Sequence, residues 1–324
     1  MRLQSFWRFT SSYLVSHSIT IRVAVRTIFA VLLIMTLAMR SHADTRLPGN
    51  DTRTEELVIT YPHPSGDQAY DNRINYFIEL LELAIRTAGR PCRLAAYQVP
   101  MTTAGRSRQN IQQGHYDVAW MHTSVDLERT LQPVRVPLLK GLIGWRLFFI
   151  REQDTEKFAH IKTLQELSKQ IAGQGYDYPD NIILEASHLA LRTGLHRNNV
   201  LQMLLKNRVD YFPRSITEIY DEWRVFGEPG LAIERSLALK YPSAFYFFVA
   251  KDNVELAELL NRGLQKAIIS GEFDKVFNRY FGDIIARSNL SSRTILSIPH
   301  PTLSATIPLE KPEYWFDPVS ISPR

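Results

Sequence analysis

Residues Gly114–Arg129 read GHYDVAWMHTSVDLER. The run Tyr116–Met121 is short, apolar and partly aromatic, with Gly114 before it and the polar Thr123-Ser124 after it, which predicts a buried strand. Upstream, Leu57–Tyr61 is a similar run closed by Pro62. Between the two, Ile74, Phe77, Ile78, Leu81, Ala84 and Ile85 recur at helical spacing until Gly89 and Pro91 stop them. Arg93–Val99 reads as another strand and Thr103–Gln113 as another helix. The order is therefore β-α-β-α-β, the signature of a parallel sheet covered by helices.

Downstream, strands are expected at Val134–Leu139 and Gly144–Ile150 with no long helix between them. A second β/α series follows, with helices at 163–169, 179–185, 198–208 and 217–224 and strands at 171–173 and 209–212. Ala244–Ala250 is a further strand. Asp252 with Glu255 suggests a capping box for a helix whose stripe is Val254, Ala257, Leu260, Leu264, Ala267 and Ile268. Gly271 ends it, and Phe273 to Tyr280 mark one more helix before Gly282. From Ser288 the chain is rich in Ser, Thr and Pro and reads as an extended surface tail.

The chain has 324 residues, 38 of them Lys or Arg and 33 Asp or Glu, for a formal net charge of +5. That excess is local. Arg2, Arg8, Arg22, Arg26 and Arg40 precede any acidic residue, and without residues 1–43 the charges balance at 33 each. A neutral body excludes the electrostatic footprint of a nucleic-acid binder. Residues 1–43 have the order of a secretory signal peptide: arginines, the apolar run Thr27–Met39, then small residues at Ser41 and Ala43. The run is shorter than the roughly 20 residues of a membrane span. The expected protein is exported to the periplasm and monomeric. Cys92 is its one cysteine, so neither an internal disulfide nor a lipid-attachment cysteine is expected, and Cys92 reads as buried.

No nucleophile elbow, phosphate loop, zinc-protease helix or paired Cys motif is present, and nine histidines lack metal-ligand spacing. No metal or cofactor is expected. Gly173-Gln174-Gly175 reads as a tight turn after a strand, and His63 as a loop residue. Arg106, Arg108, Arg192, His196 and Arg197 read as solvated faces. Arg129 and Arg214 differ, since each lies just beyond a predicted strand's carboxyl end, where ligands gather in open α/β sheets. A guanidinium there suits bidentate capture of a carboxylate. A structural ion pair with Glu128 or Glu218 is the alternative, and position alone leaves both open. Tyr61, Trp120, Tyr176, Tyr178, Tyr211 and Phe212 also follow or finish strands, as core or as pocket wall.

Three stretches together resemble the periplasmic solute-binding proteins of the amino-acid-binding family that serve ABC transporters. They are Gly114–Arg129 running into Val134–Leu138, then Asn207–Asp210, and Phe245–Gly282 with its closing SGEFDKVFNRYFG. The resemblance implies a two-lobed type II periplasmic-binding fold, each lobe a mostly parallel sheet flanked by helices, with two crossover strands. Lobe one would comprise 44–146 and 247–296, lobe two 147–246, and 297–324 a tail. It further implies that Ser124 and Arg129 bind a carboxylate, with Gly175, Tyr176 and Asp177 contacting it from lobe two. The family's ammonium-binding Asp falls near Ser215 here, beside Arg214, which disfavours an ordinary α-amino acid and favours a more anionic solute. Tyr61 and Trp120 complete the candidate pocket. The expected partners are a small anionic solute and an inner-membrane permease or sensor. Two alternatives stay open. One is a dehydratase-like enzyme using Asp177, Asp180 or Glu218, and the other a ligand-independent sensory domain.

Overall fold

The computed structural model describes residues 57–65, 71–100 and 104–318; the expected signal peptide, residues 1–43, lies outside them. Strand β1 (Leu57–Ser65) pairs in parallel with β2 (Cys92–Pro100), and helix α1 (Asp71–Ala88) connects them. Helix α2 (Ala104–Gln112) leads to β3 (Val118–His122). Asp117 laces β3 to β1: its backbone N–H donates to Thr60 O at 3.0 Å, and its carboxylate accepts from the Thr60 N–H at 2.7 Å and hydroxyl at 2.6 Å. Thus the Asp that opens the decisive strand works structurally. After the short helix α3 (Val125–Thr130), β4 (Leu131–Val134) pairs with β11 (Phe245–Ala250), which also pairs with β3. The first half of the molecule therefore holds a two-stranded sheet, β1-β2, and a three-stranded sheet, β3-β11-β4, joined through Asp117 and Thr60.

The second half is a seven-stranded sheet. Its members are β5 (Trp145–Arg151), β6 (Ala172–Gly175), β7 (Leu191–Gly194), β8 (Tyr211–Ser215), β9 (Leu231–Ile233), β10 (Leu237–Lys240) and β12 (Thr294–Ser297). Helices α4 (Thr155–Ala159), α5 (Leu164–Leu167), α6 (Asn181–Ala186), α7 (Arg197–Leu205) and α8 (Ile219–Phe226) connect these strands. β6 pairs in parallel with β7 and β8, whereas β5 runs antiparallel to β8, so the start of β5 lies beside the end of β8, with Arg146 opposite Ser215.

The chain passes from the first half to the second over residues 135–144 and back over 241–244, and these two crossings touch where Tyr241 N–H donates to Gly144 O at 3.1 Å. Helices α9 (Val254–Ile269) and α10 (Glu272–Ser288) return to the first half. Leu80, Leu81 and Ala84 of α1 share a core with Leu260, Leu264 and Phe277.

Several local expectations need correction. The strand expected at 134–139 ends at Val134, because residues 135–141 turn into the crossing. Asn253, not Asp252, caps α9, its side chain accepting from Leu256 N–H at 3.2 Å. α10 continues through Gly282 to Ser288, since Ile285 and Ser288 still bury an inner face. Cys92 is half-buried. The segment after Ser288 is not a loose tail. β12 pairs in parallel with β10, Ile307 is buried with Met121 and Tyr246, and Tyr314 and Phe316 join the main core. β7, β9 and β10 were not foreseen.

Candidate functional site

The carboxyl ends of β3, β6 and β8 converge on a buried network of charges. Glu218 follows β8 at the start of α8, after a turn in which Ser215 and Thr217 hydroxyls share a hydrogen bond of 2.9 Å. Three guanidiniums from three elements meet its carboxylate. Arg214 of β8 lies 3.0 Å away, Arg146 of β5 lies 3.8 Å away, and Arg73 of α1 forms a hydrogen-bonded ion pair from the opposite half. Arg214 also forms a two-pronged pair with Glu222 at 2.8 and 2.6 Å, and Arg197 approaches Glu222 at 3.5 Å. Arg146 pairs with Asp180 at 2.8 Å and donates to Tyr241 Oη at 2.6 Å.

Burial alone would disfavour an ionised Glu218, but Arg214, Arg73 and Arg146 outweigh it and hold the carboxyl far below the usual range. His122, at the end of β3, feels the same charges; desolvation dominates and lowers its pKa to about 4, against the raising effect of Asp180. Its Nδ1 lies 3.5 Å from Ser243 Oγ. Tyr178 closes one side of the network, its ring 5.2 Å from the Arg214 guanidinium, with Phe212 at 5.1 Å on that cation. Desolvation raises the Tyr178 pKa, so its hydroxyl stays protonated.

The residues expected from sequence separate into two groups. Arg214 lies within the network, inside β8 rather than beyond it, and Gly175 supports it, since a Cβ there would meet the Tyr178 ring at 2.5 Å. Arg129, Tyr176 and Asp177 are exposed. Arg129 turns outward to Asp126 at 2.5 Å. Ser124 caps α3, accepting from Leu127 N–H at 3.1 Å. Tyr61 and Trp120 are half-buried against the core, Trp120 stacked on Phe77 at 5.2 Å. Sequence reading missed Arg73, Arg146, His122 and Glu222 as site residues. Arg146 and Glu222 carried one signal, a charge inside an otherwise apolar strand or helix face. Gln174, one residue before Gly175, is buried with neither amide atom paired among the described residues.

No protein-family model matches the sequence, and no curated protein sequence matches it. Solved structures do. An ancestral arginine-binding protein bound to arginine superimposes with a TM-score of 0.51 and 17% identity, over 69% of this chain and 98% of that one. The VFT2 domain of BvgS from Bordetella pertussis gives a TM-score of 0.53 at 14% identity, over 69% of this chain and 93% of that one. The whole BvgS periplasmic domain gives 0.52 at 14% identity, with 43% of that chain covered. The fold is the two-lobed periplasmic-binding type. In this chain the Arg73–Glu218 pair joins the helix between β1 and β2 to the end of β8 in the seven-stranded sheet.

Proposed function

We propose that this chain is an exported binding protein that closes around a small carboxylate-bearing solute and presents it to a membrane permease or sensor. Of the described residues, those up to 146 and those from 247 to 293 would form lobe one, and 147–246 lobe two, with β12 added to the sheet of lobe two rather than to lobe one. The observation that carries the reading is the convergence of Arg73, Arg146 and Arg214 on the Glu218 carboxylate. Three guanidiniums that already converge on one carboxylate support capture of a solute carboxylate. The solute carboxylate would take the place of Glu218, with Tyr178 beside it. The resemblance puts the ammonium-binding Asp near Ser215, a residue that is buried and hydrogen-bonded to Thr217, which supports a solute without an ammonium partner there.

Mass spectrometry of small molecules retained by the purified protein, followed by calorimetry with mono- and dicarboxylates, tests this. A carboxylic acid should be retained, and Arg214→Ala should weaken it by about tenfold or more. Tight binding of neutral or basic amino acids, unchanged by Arg214→Ala, overturns it.

One observation favours a second reading. Arg73–Glu218 is a direct contact between the two halves, of the kind a ligand-independent sensory domain would use to hold closure. In that case no solute is retained, and Arg73→Gln loosens closure, seen as a larger radius of gyration in solution scattering. The enzyme reading is weaker, because Glu218, held anionic by arginines, is a poor general acid.

A further inference from the structure

The C-terminal segment crosses the junction between the lobes as a strap. One end is anchored in lobe two by β12 on β10 and by Arg293, which donates to Glu234 O at 2.7 Å and Leu237 O at 2.9 Å. The middle reaches lobe one, where the Thr306 hydroxyl donates to Glu128 at 2.9 Å. The far end returns to the first crossing, where Phe316 N–H donates to Lys140 O at 2.7 Å.

Strap and crossings line a cavity of about 410 Å³ that is partly open to solvent and within the range of small-molecule sites. Its apolar wall includes Trp145, Ile298, Leu309, Trp315 and Phe316. Lys240 stands over the Trp145 ring, its ammonium 4.6 Å from the centroid. Among the described residues the wall contains no carboxylate. Lys140 is paired with Asp274 at 2.6 Å, whereas Lys240 has no carboxylate within ion-pair distance among the described residues. An aromatic, cation-bearing wall of this kind complements a flat apolar anion: the ring packs on indole, and the charge meets the ammonium. This cavity is separate from the interlobe network, although Tyr241 and Ser243 line it and touch that network through Arg146 and His122.

We propose that the cavity under the C-terminal strap is a second ligand site, which takes a small aromatic carboxylate with its acid group on Lys240. Calorimetry of the full chain with 2-naphthoate, and with uncharged 2-naphthylmethanol as its comparison, tests this. In the Arg73→Ala protein, where the cleft cannot contribute, one saturable site is expected, at least about tenfold weaker for the alcohol. Lys240→Met should reduce naphthoate affinity by a similar factor. Leu309→Trp, at a position 51% exposed, should fill the cavity and abolish binding, while Arg73→Ala in the cleft should leave it unchanged. The proposal is overturned by the absence of saturable binding, by equal affinity for the alcohol, or by binding that survives Leu309→Trp and is lost in Arg73→Ala. Should Leu309→Trp not fold, Lys240→Met, a change at an exposed residue, decides the matter alone.

Discussion

Arg129 and Arg214 look alike in the sequence and differ completely in the molecule. Each stands near the carboxyl end of a strand in its own half of the chain. The side chain of Arg129 is 77% exposed and paired with Asp126 on its own short helix, whereas that of Arg214 is 4% exposed and shared between Glu218 and Glu222. The cause is local geometry. Arg129 sits in the last turn of α3, where an i,i+3 neighbour draws it outward. Arg214 sits in β8 opposite Leu147, in the middle of a sheet, and needs buried partners to exist there at all. The ends of matching strands are therefore not equivalent sites. The end of β8 has been committed to charge.

The sharpest way to break this contrast is to remove one member of the buried set. Glu222→Ala leaves Arg214 and Arg197 short of a carboxylate that is fully buried. It should cost about 3–5 kcal/mol in urea-induced unfolding, the range for orphaning a buried charge. An apolar double replacement, Arg214→Met with Glu222→Leu, should recover most of that stability while abolishing carboxylate binding. If Glu222→Ala costs less than about 1 kcal/mol, the network is solvated and the comparison fails.

The second prediction uses pH. His122 titrates near 4 in the folded protein and near 6.5 when unfolded. The unfolded chain therefore takes up that proton first, so stability falls as pH drops from about 6.5 to about 4 and is unaffected above that window. At 1.36 kcal/mol per pKa unit the full difference amounts to at most about 3–4 kcal/mol. His122→Gln should flatten the dependence of unfolding free energy in this window. An unchanged slope would show that His122 does not share the desolvated environment of Arg214.

Much of the architecture was legible in sequence because it rests on period and order. The five-element start, the strand at 245–250 and the long helix with its stripe at Ala257, Leu260 and Leu264 need only hydrophobic spacing. The short strands β7, β9 and β10 were not legible, because three or four residues carry no usable period. The strap failed for a different reason. Its anchors Ile307, Tyr314 and Phe316 are isolated apolar residues among Pro and Ser, and only tertiary contact shows that they are buried. At the site, residue types were visible but pairings were not. Arg73 and Glu218 are 145 positions apart, and nothing local says that they meet.

A third prediction moves from the cleft to the strap. Gly141 has φ of +71°, and a Cβ there would lie 2.5 Å from the Trp315 ring. Gly141→Ala should therefore both strain the backbone and push the indole off the crossing, at a cost of about 1–2 kcal/mol. Tryptophan emission should shift to the red as Trp315 becomes wetter. A full-stability variant with unaltered emission would mean that the strap does not press on the junction in solution.

The smallest effect belongs to Arg129, and it completes the comparison. Its pair with Asp126 lies on the surface, where solvent screening and side-chain entropy cancel most of the attraction. Arg129→Ala should leave the melting temperature within measurement error in low and high salt alike, where Glu222→Ala lowers it strongly in both. The informative readout is ligand affinity. Resemblance to the amino-acid-binding family assigns Arg129 a carboxylate, but the arginine here faces Asp126 instead. If the retained solute binds the Arg129→Ala protein as tightly as the parent, recognition belongs to Arg73, Arg146 and Arg214. A large loss of affinity would mean that the helix end rotates inward on binding. Carboxylate capture would then be divided between two strand ends, one poised in advance by buried partners and one recruited only by the ligand.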